Sequence, residues 1–236
     1  MGRVKRYRTA LSRHHRSAGH GIHSPFAYRF VLDVLRERNP YYCYGLLHEL
    51  RHAVIAKTKR HFRHPRIISF KNAKLIFRVT NFFNPPCVLQ IGTSYGVSAV
   101  AVKSVSKESW LHLYEPHIDR YPVVADVLSP LMNRLVVYDS FHDAFEACRR
   151  SWQQPFVLIN DLPRTGDYEE ILNCIVPMLQ SGVVVIMRNL SRNPEMKRLW
   201  LALRENMTSG HSYTNEKLAV IVANPKLPRQ HFFLWF

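Results

Sequence analysis

The stretch VLQIGTSYGVSAV, residues 88–100, reads as a buried strand that ends in a glycine turn and restarts as a helix. A run of apolar residues reaches Gly92, passes through Thr93, Ser94 and Tyr95, and resumes at Gly96 with small helix-forming residues. Glycines at such a turn let the backbone approach a ligand closely. In a doubly wound sheet the turn after the first strand is the place where a ligand sits. Thr93 and Ser94 directly follow Gly92, so the turn is not the GxGxxG fingerprint and a nicotinamide enzyme is disfavoured. Gln90 stands where an acidic residue is usual.

Working outward, residues 87–92, 110–115, 134–139, 156–161 and 183–187 form further strand-like runs. Helical segments are expected between and after them, at about 95–105, 119–129, 140–150, 167–180 and 193–207. Continuous apolar strands mark a parallel sheet buried on both faces. Residues 211–216 and 218–224 are two strands with almost no linker, so they are expected to be antiparallel neighbours.

Before residue 87 the pattern is helical. Ser24 is a suitable N-cap and Pro25 suits the first helical position. Phe26, Phe30, Val31, Val34 and Leu35 follow at helical spacing, and Asn39-Pro40 ends that helix. A second helix is expected at about 46–62 and a third at about 72–83, the latter with Leu75, Ile76, Val79 and Phe82 facing inward. Pro85-Pro86 closes it. The spacing divides the chain into a basic N-terminal helical extension, 1–70, and an α/β domain, 71–236.

Charge is distributed as unevenly as structure. Residues 1–78 carry 18 Lys/Arg and three acids, against 15 and 14 in residues 79–236. Such asymmetry points to an anionic partner for residues 1–78, nucleic acid and RNA first. A solubilising basic face is the alternative. No apolar run approaches the roughly 18 residues of a membrane span, and the basic N-terminus has no apolar core of a secretory signal. Cys43, Cys87, Cys148 and Cys174 are scattered, as expected of reduced thiols in a cytoplasmic protein. His48 and His52 have metal-ligand spacing but no third or fourth ligand in sight, so a solvated basic face is the better reading.

The candidate ligand contacts are Gln90, Gly92, Thr93, Ser94 and Gly96 in the turn, with Glu115 and Asp139 at the next two strand ends. Glu115 lies about twenty residues past the turn, where an acid takes two ribose hydroxyls. Asp139 is placed to meet an adenine amino group, or else to cap the following helix. Asn160 and Asp161 end the fourth strand, where reacting groups would lie. His20 and His23 are further candidates. His23 has an equally good structural reading, as a lock on the helix start at Ser24-Pro25.

Five βα units followed by a hairpin, with these residues at the strand ends, resemble the class I S-adenosylmethionine-dependent methyltransferases. The likeness is narrower still to a group of small bacterial methyltransferase-like proteins. That group opens with HGxHSPF, matched by residues 20–26, and LIFRVTNFF at 75–83 is similar to its third-helix motif. LQIGTSYGVS at 89–98, PEMKRLW at 194–200 and QHFFLWF at 230–236 match later elements in the same order. The resemblance implies a Rossmann-like, mostly parallel sheet of seven strands with the last antiparallel, and S-adenosylmethionine as cofactor.

The departures are equally informative. Gln90 replaces the group's acid, the His that follows its fourth strand is absent, and Arg188-Asn189 replace two acids after the fifth. Related enzymes bind a divalent ion with acids and an amide at these strand ends. Arg188 puts a positive charge there instead, so no catalytic metal is expected. The residues thus support an active methyltransferase using Asp161, Asn160 or His23 near the acceptor. They also leave open a catalytically degenerate relative that acts as a nucleic-acid-binding or assembly factor.

Overall fold

The structure, a computed structural model, describes residue 19 and residues 21–59, 67–120, 122–131 and 133–236. His20 and most of the basic N-terminal stretch lie outside the described residues. Helix α1, Pro25–Phe30, begins as expected: Ser24 Oγ accepts from Ala27 N at 3.3 Å and proline takes the first turn. It runs into a π-helical turn, Val31–Leu35, and stops there, ahead of Asn39-Pro40. Helix α2, Cys43–Thr58, starts earlier than residue 46. Helix α3, Phe70–Phe83, is capped by Ser69 and ends on Asn84 at φ 43°.

The order thereafter is β1 (Cys87–Ile91), α4 (Val97–Lys103), β2 (Trp110–Tyr114), α5 (Pro122–Leu128), β3 (Leu135–Tyr138) and α6 (Phe141–Arg149). It continues β4 (Phe156–Ile159), α7 (Asp167–Ser181), β5 (Val183–Met187), α8 (Pro194–Asn206), β6 (His211–Thr214), β7 (Ala219–Ala223) and β8 (Gln230–Phe233). The strands form one sheet in the order β3-β2-β1-β4-β5-β7-β6-β8. Strand β7 alone runs against the rest, pairing antiparallel with β5 and with β6.

The sequence suggests seven strands; the sheet has eight. The seventh strand, β7, runs antiparallel as expected, and the additional one is the edge strand β8, paired parallel with β6. It escapes sequence reading because it is an edge strand with half-exposed residues and no continuous apolar run.

Alternation along the strands divides the core. Val88, Leu111, Leu158, Ile186 and Val220 face a layer built from α1 to α5. Leu89, Ile91, Val157, Val185 and Ile221 face α6, α7 and α8. The helices before residue 84 therefore share one apolar layer with the sheet. Arg78, only 8% exposed, ties them together: its Nε donates to Val34 O at 2.6 Å and its Nη2 to Leu35 O at 3.1 Å. Phe82, expected to face inward, is 41% exposed. No helix among the described residues is long and apolar enough to cross a membrane.

Candidate functional site at the strand carboxyl ends

The glycine turn is built as a crossing of backbones. Gly92 has φ +77°, and a Cβ on it would lie 3.2 Å from Asp161 N and 3.3 Å from Asp161 O. Gly96 has φ +79°, and a Cβ there would strike Val127 Cγ1 of α5 at 2.6 Å. Both glycines are thus required by conformation and by space. Ser94 and Tyr95 also take positive φ, 48° and 60°, in the short 3-10 turn between them. Strain of this kind collects where a backbone is held for a ligand.

Neutral amides hold the turn from beneath. Gln90 Nε2 donates to Gly92 O at 3.0 Å and to Ser98 Oγ at 3.1 Å. Asn160 Nδ2 donates to the same two acceptors at 2.8 and 3.0 Å. A carboxylate at residue 90 could not donate to the Gly92 carbonyl, so Gln90 adds a support that the usual acid lacks. Gln90 Oε1 is left buried without a partner. Ser98, fully buried in α4, closes the network by donating to Thr93 O at 3.2 Å.

Asn160 has both amide hydrogens engaged, and its Oδ1 accepts from Arg188 Nη1 at 2.7 Å. It positions the turn and has no free donor for a substrate, contrary to its expected place among the reacting groups. Arg188 Nη1 also reaches Ser94 Oγ at 2.9 Å. Arg188 is 4% exposed and its Nε has no partner. Burial, opposed by the nearby Asp161 charge, lowers its pKa to about 10. Asn189 Nδ2 donates to Asn160 O at 3.0 Å. The ends of β4 and β5 therefore carry amides and one cation beside a single partly exposed acid, Asp161. Asp161 Oδ1 accepts from Asn193 Nδ2 at 2.6 Å and from Leu162 N at 3.1 Å, while Oδ2 has no hydrogen-bond partner among the described residues.

The neighbouring strand ends are acidic. Glu115 is 7% exposed; its Oε2 accepts from Thr93 N at 3.0 Å and its Oε1 from His117 N at 3.4 Å. Burial raises its pKa while these two N–H groups restrain the rise. Each carboxylate oxygen retains acceptor capacity. Asp139 is exposed at the end of β3. It is not the helix cap: Ser140 fills that role, accepting from Asp143 N at 3.3 Å.

The structure brings Gln90, Gly92, Thr93, Ser94, Gly96, Glu115, Asn160 and Asp161 together, and leaves His23 apart. Phe26 packs on His211 and Phe30 on Tyr213, so α1 starts at the amino edge of the sheet. His23, exposed and just before α1, lies at the opposite end from Asp161. The helix start is capped by Ser24, and His23 makes no hydrogen bond there among the described residues. Sequence reasoning missed Ser98 and Asn193, each a lone polar residue without a spacing signature. It also missed that the scattered Cys87, His112 and Cys148 converge, with ligand atoms within 4.8 Å, on the far side of β1 from the turn.

No family model matches the sequence, and no curated protein matches it. Solved structures do. An O-methyltransferase from Bacillus cereus, crystallised with SAH, is 15% identical, with a TM-score of 0.57 over 83% of this chain and 96% of that one. The O-methyltransferase TomG from Streptomyces achromogenes, solved with SAM, is 15% identical, with a TM-score of 0.54 over 84% and 95%. A SAH-bound methyltransferase from Podospora anserina is 10% identical, with a TM-score of 0.53 over 86% and 97%. The chain thus has the fold of the class I methyltransferases, across nearly the whole length of these neighbours.

Proposed function

We propose that this protein is an S-adenosylmethionine-dependent methyltransferase that works without a metal ion. The observation that carries the reading is Glu115: a buried carboxylate at the end of β2, fixed to the glycine turn through Thr93 N and still able to accept. Such a group suits the paired hydroxyls of a ribose. The orphaned Gln90 Oε1 beneath the turn is a second acceptor awaiting a donor. The cofactor would be held by the backbone at Gly92 to Gly96, by Glu115 and by Asp139 on the adenine side. When bound, it supplies an electrophilic methyl group.

This chain's own residues supply alignment and a proton acceptor. Methyl transfer to oxygen or nitrogen is an in-line displacement, so most of the rate comes from holding the acceptor in place. Asp161 is the group best placed to take a proton, because Asn193 and Leu162 N fix its Oδ1 while Oδ2 has no partner among the described residues. Arg188 stands where a divalent ion would otherwise orient the acceptor, and its guanidinium can do so by charge and hydrogen bonding.

Titration calorimetry with S-adenosylmethionine and S-adenosylhomocysteine tests the reading. Saturable binding of either, lost in Glu115→Ala, is expected. No heat at near-millimolar ligand overturns it. The observation favouring a degenerate relative is Arg188 itself, bonded across the turn to Ser94 and Asn160. Binding without turnover on any acceptor would support that second reading.

A further inference from the structure

A cleft of about 430 Å³ opens beside the strand ends, between the start of α3, the segment after β5 and the β6–β7 turn. Five cations line it: Arg51, Lys71, Arg188, Arg192 and Lys217. Among the described residues no acidic side chain lines it, and the last residue, Phe236, stands at its rim. Among the described residues, none of the five forms an ion pair. Arg188 is the innermost, almost wholly buried, with its Nε unsatisfied while its Nη1 holds Ser94 and Asn160. The fourteen-residue helix α3 adds the positive end of its dipole, since Ser69, Lys71 and Asn72 at its start line the cleft.

Five like charges with Asp161 alone nearby to offset them repel one another and are relieved by an anion. Burial and the charges of Arg78 and Lys217 lower the Lys71 pKa; burial lowers that of Arg188, the Asp161 charge opposing the shift and Arg192 adding to it. A solvated basic face would not produce a desolvated, half-unpartnered guanidinium at its floor.

We infer that this cleft binds the anionic group of a small molecule, a phosphate ester or a polycarboxylate, and that this molecule is the methyl acceptor. The second half of the inference rests on the methyltransferase reading; the anion site does not. Arg188 joins the two sites, because the same guanidinium lines the cleft and touches the glycine turn. An acceptor whose oxyanion meets the outer cations would extend toward Ser94 and Asp161. The volume fits a small molecule, which separates this cleft from an open nucleic-acid groove.

The test is calorimetry on the full chain at low salt, with inorganic pyrophosphate and with citrate as probes. One-to-one binding of at least one probe is expected, and the preference between them tells phosphate from carboxylate. Lys71→Ala and Lys217→Ala alter exposed residues, so circular dichroism is expected to be unchanged while each weakens binding about tenfold. No binding of either probe at millimolar concentration overturns the inference. So does binding that both variants retain in full. A single-stranded RNA oligonucleotide that binds far more tightly than both probes, and loses affinity in the same variants, overturns the small-molecule assignment. If the probes bind as expected while S-adenosylhomocysteine does not, the methyltransferase reading fails and the anion site stands.

Discussion

Two adjoining parts of one sheet edge carry opposite electrostatics. At the ends of β2 and β3 stand the acids Glu115 and Asp139; at the ends of β4 and β5 stand Asn160, Arg188 and Asn189, with Asp161 alone to offset the cation. The backbone scaffold is continuous between them, since Gly92 O is held from both Gln90 and Asn160. What differs is the charge offered to a ligand. The acidic half suits a neutral sugar with hydroxyls to donate. The cationic half suits an anion and disfavours a second positive charge. The fold therefore fixes where a ligand lies, and a few side chains decide how much charge it can bring.

The seam between the halves is the place to break both at once. Gly92→Ala forces a Cβ into the Asp161 backbone at a left-handed φ. We expect a loss of about 1–3 kcal/mol in denaturant unfolding and no measurable S-adenosylhomocysteine binding.

Glu115→Gln attacks the acidic half alone, and we expect affinity for S-adenosylhomocysteine to fall roughly 10–100-fold by calorimetry. It also removes a pH dependence. The Glu115 pKa is raised in the folded chain, so the folded state holds that proton more tightly than the unfolded one. The linked stabilisation is present below the ordinary carboxylate range and is lost as pH rises through the raised value. Melting curves of the two proteins should therefore differ most in favour of the native chain at the acid end of that window.

Arg188→Met sharpens the contrast from the other side. S-adenosylmethionine carries one more positive charge than S-adenosylhomocysteine, so removing the guanidinium should shift the preference toward S-adenosylmethionine by roughly tenfold. An unchanged ratio would mean that Arg188 does not feel the cofactor's charge.

The smallest effects belong to two exposed residues. Asp139→Ala should weaken S-adenosylhomocysteine binding a few-fold with no change in melting temperature, since Asp139 makes no hydrogen bond or ion pair within the described residues. His23→Ala should change neither measurement.

Much of the fold can be read from the chain because β1, β4, β5 and β7 are buried on both faces, and each shows as an apolar run, broken only by Gln90 in β1. Strand β8 and the start of α2 are not, because edge and surface elements mix polar and aromatic residues freely. The turn is legible through Gly92, Gly96 and Glu115, whose spacing follows from their geometry. What Arg188 touches is not legible: a departure from a pattern shows that a charge is present, not where its guanidinium goes. The cleft cations at 51, 71, 188, 192 and 217 are brought together only by the fold.

The packing of α1 on β6 also bears on how the chain is made. Phe26 rests on His211, Phe30 on Tyr213, and Tyr213 and His211 in turn on Phe232 of β8. The first of these rings leaves the ribosome roughly 200 residues before the last, an interval on the order of ten to forty seconds at usual synthesis rates. During that time α1 has Phe82 and Phe83 of α3 to pack against but lacks the rings of β6 and β8. The native cover of α1 is completed only when the C-terminal strands arrive beneath a helix that was made first.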